Sequence, residues 1–383
     1  MKMLDSVKTK GFLGQFDYEL LFNEQIKFVT GPNGYGKTTF LNIVDLFFRE
    51  DWKKIASVVF DCFEISFSDV IFTFKQSCTE KEDAEEIDEK SYKVTLTISS
   101  NDDLCLKIEF EKNDEGEITR KIKEYKTENY KKRLKLFINT NKCFYIPDSR
   151  LYMNKVDLKR QIPSLVRFSE SLSKTLVSMK YTIQHVLVSE INSITSGVVN
   201  EKEVSINAND EAFWAKLKSY KFIQEDEKIC CAEQMMTLKE KVGDFLERLD
   251  LFQEIIQKCE FTNKTMEIST LIEGNGFLFR LNDAKKQVLD FTSLSSGEKH
   301  ILTILYSLLF DVEKGSLVLI DEPEMSFHMS WQVSFYDNLL KIAELRKLQC
   351  IVATHQPQMF GLDFEKSIDL YELSCGNLYA QEC

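Results

Sequence analysis

The motif that is most informative about the fold is Gly31-Pro32-Asn33-Gly34-Tyr35-Gly36-Lys37-Thr38. It fits the pattern G-x-x-x-x-G-K-[ST], in which the backbone of a glycine-rich loop surrounds phosphate groups. Residues 25–30 before it are predicted to form a short strand, and residues 39–48 after it a buried helix. That order places the positive end of a helix dipole beside the loop. The stretch therefore predicts a nucleotide-binding site, in which Lys37 contacts the phosphates and the Thr38 hydroxyl binds Mg²⁺.

The composition excludes several classes of protein. The chain has 383 residues, enough for two domains or for one large domain with an insertion. Its formal net charge of −12 argues against a protein covered with basic surface for nucleic acid. The ten cysteines include no Cys-x-x-Cys pair, so we interpret them as reduced thiols. Because residues 1–5 carry no signal-peptide core and no apolar run could cross a bilayer, we expect a cytoplasmic protein.

Two later strands end in polar side chains that suit phosphate chemistry. Residues 316–324 form an apolar run followed by two carboxylates, as a central parallel strand buried on both faces would. Asp321 is a candidate ligand of Mg²⁺, and Glu322 is a candidate general base that activates the attacking water. Residues 351–357 form a second apolar strand, and it ends at His355, which we predict to contact the γ-phosphate.

A third segment, at residues 293–300, precedes a predicted helix. Small residues and a glycine at a helix start form an anion-binding site, so Ser295, Ser296 and Gly297 are candidate phosphate contacts. An ordinary serine-capped helix start is the alternative interpretation.

The rest of the chain alternates between strand and helix patterns. Residues 61–125 contain several half-buried strands, and residues 154–262 are predicted to be largely helical. We expect two strands, at 265–271 and 276–281, to return to the main sheet.

A basic run lies between these regions, at residues 120–135, and is interleaved with aromatic residues. Such a run is typical of nucleic-acid surfaces, so we consider DNA or RNA contact here. The alternative is a solvated face whose charges are balanced by Glu124 and Glu128.

These motifs resemble those of the ABC-type ATPases, and they follow in that family's order. The sequences at 31–38, 294–298 and 321–332 are similar to the AAA-family ATPases of the OLD, SMC and RecF group. The stretch Tyr145-Ile146-Pro147-x-x-Arg150 is also typical of that group. The resemblance implies an α/β, ABC-ATPase-like P-loop fold, with split nucleotide-binding lobes and an inserted helical subdomain.

The resemblance also implies three parts: an N-terminal ATPase lobe at 1–150, a helical insertion at 151–284 and a C-terminal ATPase lobe at 285–383. It implies ATP and Mg²⁺ as ligands, and a head-to-tail dimer with two composite sites. In that dimer, Ser295 and Gly297 contact the γ-phosphate of ATP bound to a second subunit. The implied catalytic residues are Lys37, Glu322 and His355. The implied nucleotide contacts are Gly31, Asn33, Gly34, Gly36, Lys37, Thr38, Thr39, Ser295, Ser296 and Gly297. The implied metal ligands are Thr38 and Asp321.

The chain departs from the cassette pattern in one place. Cassette ATPases usually carry a glutamine after a strand like residues 143–147, and this chain has Asp148-Ser149-Arg150. Asn141 is the nearest side-chain amide, but it lies before the strand. Phe12 and Phe16 are the candidates for stacking on adenine.

The resemblance implies an ATPase that acts as a dimeric clamp, scaffold or sensor in nucleic-acid-related defence or repair. The chain is similar in architecture to the ATPase subunits of anti-phage systems of the Septu or PARIS kind, which work with a separate nuclease or effector. A soluble ATPase subunit of a membrane transporter is the alternative, against which stand the large insertion and the missing glutamine. A third interpretation makes the helical middle itself an effector, although it lacks an obvious catalytic set.

Overall fold

The computed structural model describes residues 2–80, 92–113, 115, 117–147, 164–195, 208–224, 232–261, 263–268, 276–325, 327–361 and 363–380. The chain divides into two compact units. Met1–Asp148 and Val312–Cys383 form the first unit, and Ser149–Asp311 forms the second. Asp148, Ser149 and Arg150, where the sequence departs from the cassette pattern, lie outside the described residues.

The described strands are, in chain order, β1 (Leu4–Phe12), β2 (Phe16–Leu21), β3 (Ile26–Thr30), β4 (Cys62–Phe67), β5 (Val70–Glu80), β6 (Tyr92–Ser100), β7 (Asp103–Lys112), β8 (Ile118–Lys126), β9 (Cys143–Ile146), β10 (Lys264–Ile268), β11 (Phe277–Leu281), β12 (Val288–Leu289), β13 (Leu317–Asp321), β14 (Gln349–Ala353) and β15 (Ser367–Asp369). The α-helices are α1 (Lys37–Phe48), α2 (Trp52–Ser57), α3 (Leu136–Thr140), α4 (Ser164–Thr195), α5 (Ala208–Ser219), α6 (Ala232–Lys258), α7 (Ser296–Tyr306), α8 (Met329–Arg346) and α9 (Leu370–Ala380). Two π-helical turns, Tyr130–Lys135 and Ser307–Asp311, precede α3 and follow α7.

A five-stranded parallel sheet in the first unit positions the site, with the strand order β15-β3-β14-β13-β9. Its central strands β13 and β14 are buried along their whole length, as their continuous apolar runs predict. Asp321 at the end of β13 pairs with Ala353 at the end of β14, and Ala353 pairs with Val29 of β3. The segments that follow these three strands therefore meet at one edge of the sheet.

A seven-stranded antiparallel sheet, ordered β2-β1-β4-β5-β6-β7-β8, completes the first unit. Its core explains the abundance of phenylalanine in the sequence. Phe47 of α1 lies 5.0 Å from Phe72, 5.7 Å from Phe74 and 6.3 Å from Phe137, measured between ring centroids. Burial of each such ring contributes about 1.5–3 kcal/mol. The predicted α/β P-loop fold is confirmed.

One buried glutamine joins the two sheets of the first unit. Gln349, at the start of β14, accepts a hydrogen bond from Leu4 N at 2.7 Å. Its amide nitrogen donates to Leu4 O at 2.8 Å and to Phe22 O at 3.2 Å. The side chain therefore satisfies backbone groups of β1, and of the residue after β2, that would otherwise be buried without partners.

The second unit contains α4 to α7 and a separate three-stranded sheet, ordered β10-β11-β12. The prediction that the strands at 265–271 and 276–281 return to the main sheet was wrong. β10 and β11 pair antiparallel with each other instead, with Lys264 opposite Leu281. Ser169 of α4 also holds β11, because its hydroxyl donates to Phe277 O at 3.1 Å. An alternating pattern predicts a strand, but it does not specify the neighbouring strand.

The three-part division predicted from the resemblance stays a prediction. The structure groups residues 285–311 with the second unit, and these include the segment at 293–300, which we name the signature segment. Within the described residues, the middle of the chain is helical as predicted.

Candidate nucleotide-binding site

The phosphate loop follows β3 and ends where α1 begins, at Lys37. Gly31, Gly34 and Gly36 have φ values of +134°, +88° and +88°, which side chains with a Cβ rarely adopt. A Cβ on Gly36 would also lie 2.5 Å from Cε1 of Phe12. Only glycine fits at this position, so the loop keeps the backbone approach to phosphate that the motif requires.

Lys37 is 5% exposed and is held by the loop itself. Its Nζ donates to Gly31 O at 2.7 Å and to Pro32 O at 3.2 Å. Burial lowers the pKa of Lys37, and the carboxylates of Glu322 and Asp321 oppose that shift. The ammonium group is therefore poorly hydrated, and phosphate oxygens would replace the loop carbonyls as its partners.

Two oxygen donors suited to Mg²⁺ meet at the start of α1. The Thr38 hydroxyl donates to Asp321 Oδ1 at 3.1 Å, and the Asp321 side chain is nearly fully buried. In the described part of the chain, no group of three or more His, Cys, Asp or Glu side chains is arranged to hold a metal. A hydroxyl and one carboxylate fit Mg²⁺, which usually takes one or two carboxylates together with substrate phosphates.

Tyr145 is a member of this site that the sequence did not single out for a role. It lies on β9, opposite Leu319 of β13. Its hydroxyl donates to Asp321 Oδ2 at 3.1 Å. The two oxygens of the Asp321 carboxylate are therefore each contacted by a different hydroxyl, which fixes the orientation of the group. In the sequence, Tyr145 belongs to the Tyr-Ile-Pro stretch. That stretch supported the resemblance to the family but assigned no role to Tyr145.

Asn141 is the side-chain amide nearest in the sequence to the position where cassette ATPases carry a glutamine, and here it has a structural role. Its Nδ2 donates to Phe137 O at 2.9 Å and its Oδ1 accepts from Lys2 N at 3.0 Å. The side chain is 6% exposed and lies before the start of β9, whereas Asp321 lies at the opposite, carboxyl end of the parallel strands.

Glu322, the predicted base, lies at the same edge as His355, the histidine predicted to contact the γ-phosphate, which we name the switch histidine. Glu322 has φ of +44°, and its backbone N–H donates to Ala353 O at 2.9 Å. His355 Nε2 lies 3.1 Å from Glu322 Oε1, without forming an aligned hydrogen bond. His355 Nδ1 lies 3.4 Å from Lys37 Nζ. Lys37, Glu322 and His355 therefore form one contiguous group.

A cleft of about 470 Å³ opens beside this group. Gly31, Pro32 and His355 are among the residues that line it. The first residues of the loop and the switch histidine thus face open space of molecular size.

The signature segment belongs to the second unit, where it starts α7. Ser295 is the N-cap residue: its hydroxyl accepts from Glu298 N at 3.2 Å, and Glu298 Oε2 accepts from Ser295 N at 2.7 Å. Lys264 Nζ donates to Glu298 Oε1 at 2.8 Å. Ser295 and Ser296 are exposed, whereas Gly297 is buried. The serine-capped helix start, considered as the alternative, is thus the local structure, and it leaves the two serine side chains accessible.

The two candidates for adenine stacking differ. Phe12 is fully buried under the phosphate loop, so it belongs to the core and cannot stack on a base. Phe16 is partly exposed and stacks on Tyr35, with ring centroids 5.3 Å apart. Tyr35 in turn contacts Tyr371 edge-on at 5.7 Å. The stacking role stays a prediction for Phe16.

The basic run on β8 and the following π-helical turn is largely neutralised. Six of its eight basic side chains pair with carboxylates: Arg120 with Glu111, Lys121 and Lys126 with Glu124, Lys132 with Glu128, Arg133 with Asp103, and Lys135 with Glu50. This geometry agrees with the interpretation of a solvated, charge-balanced face. Nucleic-acid contact at this run stays a prediction.

One family model matches most of the chain. The family model described as "AAA domain, putative AbiEii toxin, Type IV TA system" matches residues 26–359. The chain is also similar to the Smc head domain with an extended coiled coil bound to the C-terminal domain of ScpA from Pyrococcus furiosus, at 16% identity over 96% of this chain and 93% of that chain, with a TM-score of 0.42. It is similar to the SmcHead bound to the C-winged helix domain of ScpA, at 14% identity, the same coverage and a TM-score of 0.41. No curated protein matches the chain.

Among the described residues, no helix is both long and apolar enough to cross a membrane. The matched residues include the phosphate loop, the signature segment, both carboxylates and His355. The prediction of an AAA-family ATPase is therefore confirmed: the chain belongs to this AAA-domain family, and it is an ATPase.

Proposed function

We propose that this ATPase works as a dimeric clamp or sensor in nucleic-acid-related defence or repair, and that it controls a separate nuclease or effector. The observation that carries the proposal is the contiguous group of Lys37, Glu322 and His355 at the end of the parallel sheet. It unites a phosphate-binding cation, a carboxylate base and a histidine in a single unit, as a regulated ATP switch requires.

The roles of the chain's own residues follow from their positions. Lys37 leaves its loop carbonyls and binds the β- and γ-phosphates, where its charge offsets the negative charge of the transition state. Glu322 orients a water molecule toward the γ-phosphate and accepts its proton. His355 lies between these two side chains and contacts the γ-phosphate. Mg²⁺, held by Thr38 and Asp321 when bound, would neutralise the phosphate charge.

The accessible serines of the signature segment support a second copy of the chain as a partner. Ser295 and Ser296 stand at a helix N-terminus, where the dipole favours an anion. In the proposed head-to-tail dimer, this end of α7 covers the γ-phosphate of ATP bound to the other copy. ATP then couples assembly to hydrolysis, because ADP lacks the γ-phosphate that this helix end covers.

Two observations support an effector protein more than direct binding of nucleic acid. The description of the matched family names a toxin–antitoxin system, which by definition has a second component. The ion pairs of residues 120–135 also leave little free positive charge on that face. The Septu-like or PARIS-like role within defence belongs to this proposal.

The first test is steady-state ATP hydrolysis by the purified protein and by Glu322→Gln. The variant should lower kcat by about 10²–10⁴-fold, the range of general-base catalysis. It should also accumulate as an ATP-bound dimer in light scattering. Hydrolysis at the wild-type rate would show that Glu322 is not the base. A variant that stays monomeric with ATP at every protein concentration would contradict the dimer.

The second arm of the test repeats the wild-type assay with single-stranded DNA, duplex DNA with ends, closed duplex DNA and transfer RNA. Stimulation by one of them would identify a nucleic-acid sensor, and residues 120–135 would be mutated next. A flat response across all four would indicate an ATPase controlled by a protein partner.

A further inference from the structure

We propose that Glu324 is a positioning residue for the switch histidine, and that it acts by holding the backbone on which His355 stands. Glu324 lies three residues after the end of β13, in the segment that follows Asp321. His355 lies two residues after the end of β14. Since these two strands are parallel neighbours, the segments that follow them lie side by side.

A single carboxylate oxygen of Glu324 makes both contacts. Oε1 accepts from the Thr354 hydroxyl at 2.6 Å and from the backbone N–H of His355 at 2.8 Å. Thr354 is fully buried, and Glu324 is 8% exposed. The Thr354 hydroxyl in turn accepts from Gln356 N at 3.0 Å. The three residues around the switch histidine are therefore held by one buried side chain.

The consequence falls on the His355 ring, which Glu324 does not touch. With its backbone fixed, the ring stands 3.4 Å from Lys37 Nζ and 3.1 Å from Glu322 Oε1. Without Glu324, the segment after β14 loses both hydrogen bonds, and the ring is free to leave this position. A displacement of about 1 Å can lower a rate by about 10²-fold.

The chemistry of Glu324 argues against a role in stability alone. Its second oxygen, Oε2, is buried and has no hydrogen-bond partner among the described residues. A buried carboxylate with one unsatisfied oxygen is costly. The carboxylate nevertheless lies beside Lys37, Glu322 and His355. This placement is expected if its two hydrogen bonds position His355.

The inference rests on the proposed roles of His355 and Glu322, and a double-mutant cycle separates the two questions. The variants are Glu324→Ala, His355→Ala and the double variant, each assayed for kcat and for affinity toward a non-hydrolysable ATP analogue. Glu324→Ala should lower kcat by about 10–100-fold while the affinity changes by less than about twofold, because Glu324 makes no hydrogen bond to Lys37 or Thr38. The double variant should be no slower than His355→Ala, since both remove the same element.

Two further variants make the result decisive. Glu324→Gln keeps an oxygen acceptor and should recover most of kcat, although a neutral acceptor bonds about half as strongly. Gln349→Ala is the control, because it removes another buried side chain that binds backbone groups, at the opposite end of β14. It should lower the melting temperature without lowering kcat in the folded protein.

Each outcome has one meaning. If His355→Ala leaves kcat unchanged, the proposed role of His355 is wrong. If His355→Ala lowers kcat but the effect of Glu324→Ala simply adds to it, Glu324 does not act through His355. Loss of analogue affinity in Glu324→Ala in proportion to kcat would likewise overturn the inference, because it would indicate general damage to the site.

Discussion

The phosphate-loop edge of the first unit and the signature segment of the second unit are built in different ways. At the loop edge, polar side chains from α1 and from the neighbouring strands β9 and β13 contact one another, as in the bonds from Thr38 and Tyr145 to Asp321. In the signature segment, the charged side chain is used internally, because Glu298 closes the capping box and pairs with Lys264. What remains accessible there is a pair of serines.

Because of this difference, we expect the two regions to respond differently to mutation. The loop edge has the groups needed to bind a nucleotide within its own unit. The signature segment has a helix end and two accessible hydroxyls, and its Lys299 donates to Thr292 O at 3.0 Å. It can therefore support phosphate only when another element brings the phosphate to it. Mutations of the phosphate and metal ligands in the first region should change nucleotide affinity, and mutations in the second should change hydrolysis alone.

The largest expected effect tests the first region. Lys37→Ala removes a charged hydrogen-bond donor, which contributes about 1.5–3 kcal/mol, so the affinity for ATP should fall by roughly 10- to 150-fold. Calorimetric titration with a non-hydrolysable analogue measures this, with circular dichroism to confirm the fold. Unchanged affinity would refute the assignment of the phosphate loop.

A glycine in the second unit tests whether the two regions are independent. A Cβ on Gly276 would lie 2.5 Å from Cβ of Leu172 and 2.7 Å from Ser169 O. Gly276→Ala should therefore destabilise the second unit by about 1–3 kcal/mol, the usual range for overpacking, while analogue affinity stays the same. Chemical denaturation followed by circular dichroism measures the stability.

Gly243 provides the matched control for that variant. It lies within α6, and a Cβ there would meet no atom within 4 Å. Gly243→Ala should stabilise the helix by up to about 1 kcal/mol. Equal effects of the two substitutions would show that the contacts of Gly276 do not matter. A loss of analogue affinity in Gly276→Ala would show that the regions are not independent.

The signature segment can be tested without damage to its helix. Aspartate is as good an N-cap as serine, so Ser295→Asp should keep the stability within about 0.5 kcal/mol. A carboxylate beside an incoming phosphate adds like-charge repulsion, and about 1.4 kcal/mol of it would lower hydrolysis roughly tenfold. The assay is hydrolysis as a function of protein concentration. Wild-type rates at all concentrations would exclude this segment from the composite site.

The smallest expected effect tests whether Tyr145 orients the metal ligand Asp321. Tyr145→Phe removes one hydrogen bond to Asp321, which contributes about 0.5–1.5 kcal/mol, so the Mg²⁺ concentration needed for analogue binding should rise roughly 2- to 12-fold. Binding measured across a Mg²⁺ titration reports this without turnover. Tyr130→Phe is the control, because its hydroxyl bonds to Glu50 instead. A rise of the same size in both variants would contradict a specific role for Tyr145.

The sequence was sufficient for the parts of the site that are local in the chain. The phosphate loop and the end of β13 are each continuous in the sequence. The glycines of the loop predict its backbone conformation, and the apolar run predicts a buried central strand. The roles of Tyr145 and Glu324 could not be predicted, because they depend on β9 and β14 lying on either side of β13. Likewise, Phe12 was a candidate for stacking on adenine, and only the close approach of Gly36 in the fold shows that it lies under the loop.

The order of strands in the parallel sheet has a consequence for biosynthesis. β3, which leads into the phosphate loop, pairs with β14 and β15, and these end at residues 353 and 369. A ribosome adds about 5–20 residues per second, so the emerging loop waits on the order of 15 s to a minute for its neighbours. Until then, ATP has no formed site to bind and cannot help the nascent chain to fold. The newly made protein therefore becomes sensitive to nucleotide only after the strand that precedes His355 and the edge strand beside β3 have both emerged.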